Sequence, residues 1–348
     1  MSETNLELGP SAVSQLPTEK ISVSAEAANV GVQANARDKT DALETAPVSV
    51  LICTRNRLDD LMHALPGVLA QDYSNYEVVL IDQSTDDEVE RQVRLQFGAD
   101  PRLRYIRTAT VGLSIARNLA LHEARHEICA FTDDDCDVPP QWVANTARLY
   151  RTHPETQIAF SPVHIPASLS KVPNILFPCL YFSDDRLLRN REIFGMGANM
   201  SMRKSAWERI GPFDTLLGAG GLLPGAEEHD WLYRAHRLHM QIRLDPNNAI
   251  DHHAFRTIEE WIKMHAVYSV GDAAFAMKHL RCGDLHGAVM LLRTLSHYSG
   301  RILTRTIRHQ GAEAQSEYLR GYWGGIWKSR RYSVDRHTLL YRQSPPSA

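Results

Sequence analysis

Three consecutive aspartates, Asp133, Asp134 and Asp135, follow the apolar run of residues 128–131. A short apolar run of this kind predicts a buried strand, so the carboxylates are expected at its C-terminal tip. In open α/β sheets, ligands bind just outside the carboxyl ends of the strands. Carboxylates combined with substrate phosphates are common ligands of Mg²⁺ and Mn²⁺. The triplet therefore indicates a divalent-metal site, and the alternative interpretation is a solvated acidic turn.

Alternating strands and helices are predicted around the triplet. Apolar runs predict buried strands at residues 48–53, 78–81 and 128–131, and a further strand is predicted at residues 103–106. Helical spacing of apolar residues predicts the intervening helices at residues 58–69, 89–97 and 113–124. This alternation predicts an α/β fold with a mostly parallel sheet, flanked by helices and joined by right-handed crossovers.

The composition is that of an ordinary globular protein. Of the 348 residues, 23% are charged and 43% are hydrophobic, and the formal net charge is −3. A nearly neutral chain gives no global indication of nucleic-acid binding, so no nucleic-acid partner is expected. The five cysteines have no CxxC spacing, which argues against a zinc-thiolate site and a disulfide framework. The sequence has neither a long apolar window nor a signal-peptide pattern, which predicts a cytoplasmic protein.

Two segments differ in composition from the predicted sheet region. Residues 1–45 are rich in Ser, Ala, Glu and Thr and poor in aromatic residues, which predicts a disordered N-terminal tail. Residues 256–348 are predicted to be helical, and they combine arginines with aromatic residues such as Tyr318, Trp323 and Trp327. Two interpretations of this basic and aromatic segment stay open. It forms a surface that lies on an anionic membrane leaflet, or it is a helical cap packed on the core.

Polar residues lie at the tips of the first two predicted strands. Residues 53–57 follow the first strand, and Asp82 ends the second. The two tips are expected to lie side by side, where a buried carboxylate can accept hydrogen bonds from a nucleobase. The alternative role is helix capping, by Asn56 and by Ser84 or Asp86. The two roles are compatible with each other.

A phosphate-binding pattern precedes the triplet. In residues 111–118, Gly112 is followed by a predicted helix start and by Arg117. Helix N-termini favour phosphate, and an arginine can add bidentate pairing. On its own this segment is a weak indication of an anion site.

Taken in order, these motifs resemble those of a known enzyme family. The segments PVSVLICTRNR, LIDQSTDD, VGLSIARN and FTDDDCDVPPQW have the order and spacing found in family 2 glycosyltransferases of the GT-A fold. Further on, GANMSMRKSAWERIGPFD and the segment that ends in NNAIDHH resemble acceptor-side segments of that family. The resemblance covers residues 46–255, which implies a GT-A catalytic domain there. Residues 268–284 are similar to the helical tails of some bacterial members, which implies a helical C-terminal extension at residues 256–348.

The resemblance implies a reaction, a cofactor and partners. The reaction is inverting transfer of a sugar from a nucleoside-diphosphate sugar, with a UDP-sugar favoured, to an acceptor hydroxyl. The cofactor is a divalent metal, Mn²⁺ or Mg²⁺. The acceptor is expected to be a glycan or a lipid-linked molecule in polysaccharide, glycolipid or glycoconjugate synthesis. A lipid-linked acceptor would place the protein peripherally on the inner face of the cytoplasmic membrane.

The resemblance also assigns roles by position. The implied nucleotide-sugar contacts are Thr54, Arg55, Arg57, Asp82, Arg117, Asp133 and Asp134. The implied metal ligands are Asp135, Asp133 and His252, with His253 as a weaker candidate. The implied general base lies in the Glu227-Glu228 pair, and Glu228 stands where the family usually has an aspartate. Glu227 is the second candidate, and acidic residues also favour the positive end of a helix dipole without any catalytic role.

Other functions fit the sequence less well. A sugar-nucleotide pyrophosphorylase would need a glycine-rich loop after the first strand, and residues 53–57 contain no glycine. His122 and His126 match the HExxH zinc-protease pattern, but His126 lies two residues before the strand that carries the aspartates. The GAGG segment at residues 218–221 is not a dinucleotide-binding motif and predicts a mobile loop that shapes the acceptor pocket. A non-catalytic nucleotide-binding scaffold of the same fold stays as the alternative from another class.

Overall fold

The computed structural model describes residues 46–170, 172–173 and 175–342, and the predicted N-terminal tail lies outside them. The strands of this part of the chain are β1 Val48–Thr54, β2 Tyr76–Asp82, β3 Leu103–Arg107, β4 Ile128–Thr132, β5 Cys136–Asp137, β6 Ile158–Phe160, β7 Val163–His164, β8 Ile175–Leu176, β9 Arg186–Leu187, β10 Asn199–Arg203, β11 Ile242–Leu244, β12 Ile250–His252, β13 Arg256–Thr257, β14 Ser333–Asp335 and β15 Leu340–Arg342. The helices are α1 Leu58–Leu69, α2 Glu88–Phe97, α3 Leu113–Glu123, α4 Trp142–Thr152, α5 Lys204–Ile210, α6 Glu227–Arg237, α7 Ile258–Arg281, α8 His286–Ile307 and α9 Glu313–Ser329.

The central sheet has eight strands in the order β3-β2-β1-β4-β10-β6-β11-β9. β1 is parallel to β2 and β4, and β2 is parallel to β3, as the alternation of strands and helices predicts. β10 runs antiparallel to both of its neighbours, β4 and β6. The predicted α/β fold with a mostly parallel sheet is confirmed, and the reversed strand β10 marks the point where the regular crossovers end.

Two hydrophobic cores cover the opposite faces of this sheet. In β1, Val50 and Ile52 pack with residues of α1 and α2, whereas Leu51 packs with residues of α3. All three side chains are fully buried. Successive residues of a strand point to opposite faces, so a sheet covered on both sides has continuously apolar strands. This double burial explains why β1, β2 and β4 are visible in the sequence as apolar runs, whereas the edge strand β3 is only partly buried.

A small three-stranded sheet, in the order β5-β12-β7, lies beside the aspartate turn. β12 is antiparallel to β5, with His252 opposite Cys136 and Asp251 opposite Asp137. The backbone N–H of His253 continues this pairing and donates to the carbonyl oxygen of Asp135 (2.9 Å). Both histidines of a distant segment are therefore delivered to the aspartate turn by strand pairing.

The C-terminal helices pack closely on one another and on the sheet region. A Cβ on Gly321 of α9 would lie 2.0 Å from the carbonyl oxygen of Ala266 in α7, so the two helices are in backbone contact there. A Cβ on Gly271 of α7 would lie 2.3 Å from the carbonyl oxygen of Gly225, which precedes α6. The predicted helical character of this region is confirmed, although its end forms the β14–β15 hairpin. Among the described residues, no helix has both the length and the apolar character that crossing a bilayer requires.

Buried ion pairs join α7 to α6. Lys278 Nζ lies 2.7 Å from Asp214 Oδ2 and 2.7 Å from Asp230 Oδ1, and all three side chains are fully buried. Arg234 Nε lies 3.1 Å from Asp230 Oδ2, and His279 Nε2 lies 3.0 Å from Asp230 Oδ1. Although burial opposes it, Lys278 and Arg234 hold the pKa of Asp230 well below its usual range. Burial lowers the pKa of His279. The ring is therefore neutral near pH 7, and two carboxylates are balanced by one ammonium and one guanidinium.

Replacing Lys278 with methionine is expected to destabilise the protein strongly. Lys278→Met leaves two buried carboxylates without their shared partner, and breaking a buried pair costs about 3–5 kcal/mol. The measurement is the free energy of unfolding in urea. Arg237→Met is the matched control, because Arg237 Nη1 lies 3.0 Å from Asp284 Oδ2 with the arginine side chain 41% exposed. Exposed pairs contribute about 0.2–1 kcal/mol, so equal losses in the two variants would contradict this account.

Candidate active site

A cavity of about 470 Å³ opens at the carboxyl ends of β1 and β4. Its wall is completed by the starts of α3 and α6 and by one face of α7. The sequence-predicted site residues in this wall are Thr54, Arg55, Arg57, Arg117, Asp133, Asp134, Asp135, Glu227, Glu228 and His252. The fold therefore brings together the predicted site residues except Asp82 and the weaker metal candidate His253.

Asp82 does not line the cavity. It is fully buried at the end of β2, where its carboxylate accepts hydrogen bonds from the backbone N–H of Ser84 (2.7 Å) and from the Tyr105 hydroxyl. The neighbouring residue Gln83 lines the cavity instead. In this structure, Asp82 fixes the turn after β2 and the position of β3.

The predicted helix caps at the two strand tips are partly wrong. The N-cap of α1 is Arg57, without a side-chain hydrogen bond. Asn56 instead donates its backbone N–H to Ser84 Oγ (2.9 Å), which joins the first strand tip to the second. The N-cap of α2 is Asp87, also without a side-chain hydrogen bond, and Asp86 accepts a hydrogen bond from the backbone N–H of Glu88 (3.1 Å) from one position before the cap.

Asp135 is the most firmly held carboxylate of the triplet. His252 Nε2 lies 3.0 Å from Asp135 Oδ1, and Arg57 Nη2 lies 2.5 Å from Asp135 Oδ2. Although burial opposes it, His252 and Arg57 hold the pKa of Asp135 well below its usual range. In return, Asp135 raises the pKa of His252 against the effect of burial. The Nδ1 atom of His252 lies 3.1 Å from the carbonyl oxygen of Pro178, which fixes the orientation of the ring.

The other two aspartates have different surroundings. Thr54 Oγ1 donates to Asp134 Oδ2 (2.7 Å), so the middle aspartate ties the turn to β1. Burial raises the pKa of Asp134 to about 7, although Arg57 opposes the shift. The side chain of Asp133 is 34% exposed and lies 4.0 Å from Arg117 Nη2. Asp133 is thus the most open carboxylate of the triplet.

The donor atoms around this turn fit a hard divalent cation. Ligand atoms of Asp135, Cys136 and His252 lie within 4.8 Å of one another. Burial raises the pKa of the Cys136 thiol well above its usual value, so the sulfur stays protonated and is a poor ligand. The remaining donors of this group are the Asp135 carboxylate and the His252 imidazole, and together with the Asp133 carboxylate of the same turn they suit Mn²⁺ or Mg²⁺ better than an ion that prefers thiolates.

A second acidic group lies at the start of α6. Arg117 Nη1 lies 2.8 Å from Glu228 Oε1 and 3.2 Å from Glu227 Oε1. Burial and the adjacent Glu228 raise the pKa of Glu227, although Arg117 opposes the shift. The helix begins after Ala226 in a left-handed conformation (φ 61°), which turns the chain sharply into the cavity wall. Arg117 therefore lies between the glutamate pair and the aspartate triplet.

The face of α7 that lines the cavity is the part of the site that the sequence analysis missed. Its wall residues are Trp261, Met264, His265, Tyr268 and Asp272. His229, the residue after Glu228, has its Nδ1 atom 3.5 Å from Asp272 Oδ1. The other oxygen of Asp272 accepts a hydrogen bond from the Tyr318 hydroxyl (2.6 Å). These residues recur at helical spacing. The sequence signal that could have identified this wall is therefore a stripe of polar and aromatic residues along one face of a helix.

The GAGG segment packs against the start of α3. The backbone N–H of Leu113 donates to the carbonyl oxygen of Ala219 (2.9 Å), and Ser114 Oγ donates to that of Leu217 (2.8 Å). Ala219 and Gly220 line the cavity next to the glutamate pair. The mobility predicted for this segment stays a prediction.

Comparison with known proteins decides the family. Residues 49–211 match the sequence model described as "Glycosyl transferase family 2", and this match includes both polar strand tips and the aspartate triplet. The matched segment, just under half of the chain, is a family 2 glycosyltransferase segment. The family match ends before α6, so it does not reach the glutamate pair or the C-terminal helices.

Similar proteins include glycosyltransferases from several organisms. The glucosyl-dolichyl phosphate glucuronosyltransferase of Haloferax volcanii is 25% identical over 185 residues, which are 50% of this chain and 58% of that protein. WcaA of Escherichia coli, a glycosyl transferase named for colanic acid biosynthesis, is 30% identical over 107 residues. That match covers 30% of this chain and 37% of WcaA. The chain thus spans less than two thirds of the length of these relatives.

Solved structures share the fold at low sequence identity. A mannosyltransferase from Pyrobaculum calidifontis, PcManGT, solved with GDP-Man and Mn²⁺, superposes with a TM-score of 0.54 at 16% identity. The match covers 82% of this chain and 88% of PcManGT. S. aureus TarS 1-349 gives a TM-score of 0.50 at 15% identity, over 83% of this chain and 94% of that one. These similarities confirm the GT-A fold.

Substituting Gly197 is expected to disturb the glutamate pair. A Cβ on Gly197 would lie 2.0 Å from Glu228 Oε1 and 2.3 Å from Arg117 Nη2, so Gly197→Ala pushes both groups away. A misplacement of about 1 Å can lower an enzyme rate about 100-fold. The measurement is release of nucleoside diphosphate from sugar nucleotides, with thermal unfolding as the check on folding. Gly300→Ala is the control, because a Cβ on Gly300 meets no atom within 4 Å. Unchanged activity in Gly197→Ala would contradict this prediction.

Proposed function

We propose that this glycosyltransferase is inverting and divalent-metal-dependent, and that it moves a sugar from a nucleoside-diphosphate sugar to an acceptor hydroxyl. A UDP-sugar is the favoured donor. The observation that carries the proposal is the presence of two separate acidic groups in one cavity, linked through Arg117. One group suits a metal and a diphosphate, and the other suits removal of a proton from the acceptor. A nucleotide-binding scaffold has no need of the second group.

The donor side is proposed to be the aspartate turn and the two strand tips. Asp133, Asp135 and His252 would hold Mn²⁺ or Mg²⁺, which when bound neutralises the charge that develops on the leaving diphosphate. Thr54 and Asp134 hold the turn in place through their 2.7 Å hydrogen bond. Arg57 lies against Asp134 and Asp135 and lines the cavity, so its guanidinium is available to a diphosphate oxygen.

Asp82 keeps a donor-site role in this proposal, although its carboxylate faces Tyr105 and Ser84. Through these two bonds it fixes the end of β2, where Gln83 lines the cavity. Arg55 lines the same part of the wall and completes the proposed nucleotide contacts. Base recognition is therefore expected to use the backbone and side chains of this strand tip.

Glu228 is proposed to be the general base, with Glu227 as the second candidate. The Glu228 side chain is 19% exposed, against 10% for Glu227, so an acceptor hydroxyl reaches Glu228 more easily. Inversion requires the base on the face of the sugar opposite the diphosphate, because the hydroxyl attacks C1 as the diphosphate leaves. Arg117 holds both glutamates and fixes the direction of their carboxylates.

The acceptor side is proposed to be the α7 face of the cavity. Trp261 and Tyr268 offer flat apolar surfaces, and His265 and Asp272 offer polar groups, which is the mixture that a sugar ring requires. The Haloferax relative is named for a glucosyl-dolichyl phosphate, and WcaA is named for colanic acid biosynthesis. These names support a lipid-linked or glycan acceptor, in polysaccharide, glycolipid or glycoconjugate synthesis.

Peripheral membrane contact in the cytoplasm is proposed for the outer face of the C-terminal helices. Leu292 and Ile307 of α8 and Trp327 of α9 are each exposed, and the exposed basic residues Arg308 and Lys328 are close to them in sequence. Apolar and basic residues on one surface favour an anionic leaflet. The buried residues Tyr318 and Tyr322 pack inside the helices, so the cap and the membrane surface coexist. Cosedimentation with anionic and with neutral vesicles tests this proposal.

Nucleotide binding is expected to depend on both the metal and Asp135. UDP, GDP, dTDP and CDP are titrated calorimetrically with and without Mn²⁺, against wild type and Asp135→Ala. Metal-dependent binding of one nucleotide is expected in wild type and not in the variant, because Asp135 is the proposed ligand nearest His252. Nucleotide binding that is equally tight without Mn²⁺, or equally tight in Asp135→Ala, would contradict the proposed metal site. No binding of any nucleotide would favour the scaffold function.

Glu228→Gln is expected to keep nucleotide binding and to lower the transfer rate by about 10²–10⁴-fold, the usual contribution of a general base. The amide retains the shape of the side chain but cannot take the proton. Glu227→Gln is expected to have the smaller effect on rate. Glu259→Gln is the matched control, since Glu259 is an exposed acidic residue in the first turn of α7. A fully active Glu228→Gln would show that Glu228 is not the general base, which would leave Glu227 as the candidate only if Glu227→Gln is inactive.

A further inference from the structure

A second group of metal-binding side chains lies outside the cavity and comes from three segments. His63 belongs to α1, Asp137 to β5, and His253 directly follows β12. His63 Nε2 lies 3.1 Å from Asp137 Oδ1, and His253 Nε2 lies 2.6 Å from Asp137 Oδ2. The two imidazole centroids are 4.9 Å apart, edge to face. Two histidines therefore converge on one carboxylate.

This cluster is separate from the proposed donor site. His252 and His253 are neighbours, and successive side chains of an extended segment point to opposite sides. His252 reaches Asp135 on the cavity side, whereas His253 reaches Asp137. The described residues that line the cavity do not include His63, Asp137 or His253.

The donor atoms suit a borderline divalent ion. Each imidazole donates from Nε2 to Asp137 in this arrangement, and in the other neutral tautomer, with the proton on Nδ1, both Nε2 lone pairs are free for a single cation. The three ligand atoms lie within 4.8 Å of one another. Ligands of a tetrahedral Zn²⁺ at about 2.0–2.1 Å are separated by about 3.3 Å, so only small side-chain shifts are needed. Two imidazoles with one carboxylate are zinc ligands, whereas the aspartate turn offers mainly carboxylates.

We propose that His63, Asp137 and His253 form a second divalent-metal site, for an ion of the Zn²⁺ type. The side chains are 57%, 47% and 28% exposed, which leaves the fourth position open to water. The bound ion ties α1 to the paired strands β5 and β12. β12 carries His252, and β5 directly follows Asp135. Filling this site therefore stiffens one wall of the donor site without contacting the sugar nucleotide.

The test uses the full chain, stripped of metal with EDTA, in an Asp135→Ala background that removes a proposed donor-site ligand. Calorimetric titration with Zn²⁺, and titration with Co²⁺ followed by visible absorption, are expected to show one site in this background. His63→Ala and His253→Ala, each combined with Asp135→Ala, are expected to weaken that site by at least about tenfold. Zn²⁺ is also expected to raise the melting temperature of Asp135→Ala but not of the His63→Ala double variant.

His122→Ala is the matched control in the same background. His122 Nδ1 lies 3.3 Å from Glu123 Oε1 with the histidine side chain 76% exposed, so it offers one imidazole and one carboxylate at the surface. Its removal is expected to leave Zn²⁺ binding unchanged. The proposal is overturned if Asp135→Ala binds no Zn²⁺, or if His63→Ala binds it as tightly as the control. Because His63 is exposed, its variant decides the question even if His253→Ala fails to fold.

Discussion

The buried pairing of Lys278 with Asp214 and Asp230 is the interaction on which the geometry of the site depends. Asp230 lies in the first turn of α6, the helix that begins with Glu227 and Glu228. Buried charges are costly unless each is paired, so few arrangements of α6 on α7 satisfy this network. The direction in which α6 presents its glutamates is therefore set by a lysine in the C-terminal helices.

In the aspartate triplet the charges have the same sign, so the three adjacent carboxylates repel one another. The fold relieves this repulsion by giving each carboxylate a different partner. Asp134 is held by Thr54, Asp135 by His252 and Arg57, and Asp133 lies nearest Arg117. These partners come from β1, the segment after it, β12 and α3. The turn is thus pre-organised by residues that are scattered along the chain. Its negative charge is least compensated at Asp133, the most exposed of the three carboxylates.

The sequence predicts the local parts of this arrangement and not the long-range pairings. The strands of the parallel sheet and the aspartate turn are visible because burial on two faces leaves a continuous apolar run followed by charges. The antiparallel course of β10 is not visible, because apolar periodicity reports burial and not the strand partner. Asp82 was expected to face the nucleotide, but Tyr105 from the next strand occupies its carboxylate. The pairing of β12 with β5, which brings both histidines to the turn, likewise depends on contacts that no local pattern encodes.

Helix α7 has two roles. Its end anchors it in the buried ion-pair network, and its first half forms the proposed acceptor wall of the cavity. Lys278 and His279 near its end are fixed in the buried network, while Trp261 and Tyr268 nearer its start line the cavity. A helix is stiff over this length, so the wall cannot move independently of the anchor. The close backbone contact at Gly271 adds a second fixed point between the two. The position of the proposed acceptor wall is therefore coupled to the packing of the C-terminal helices, and side chains on the wall face can vary without disturbing the buried ion pairs.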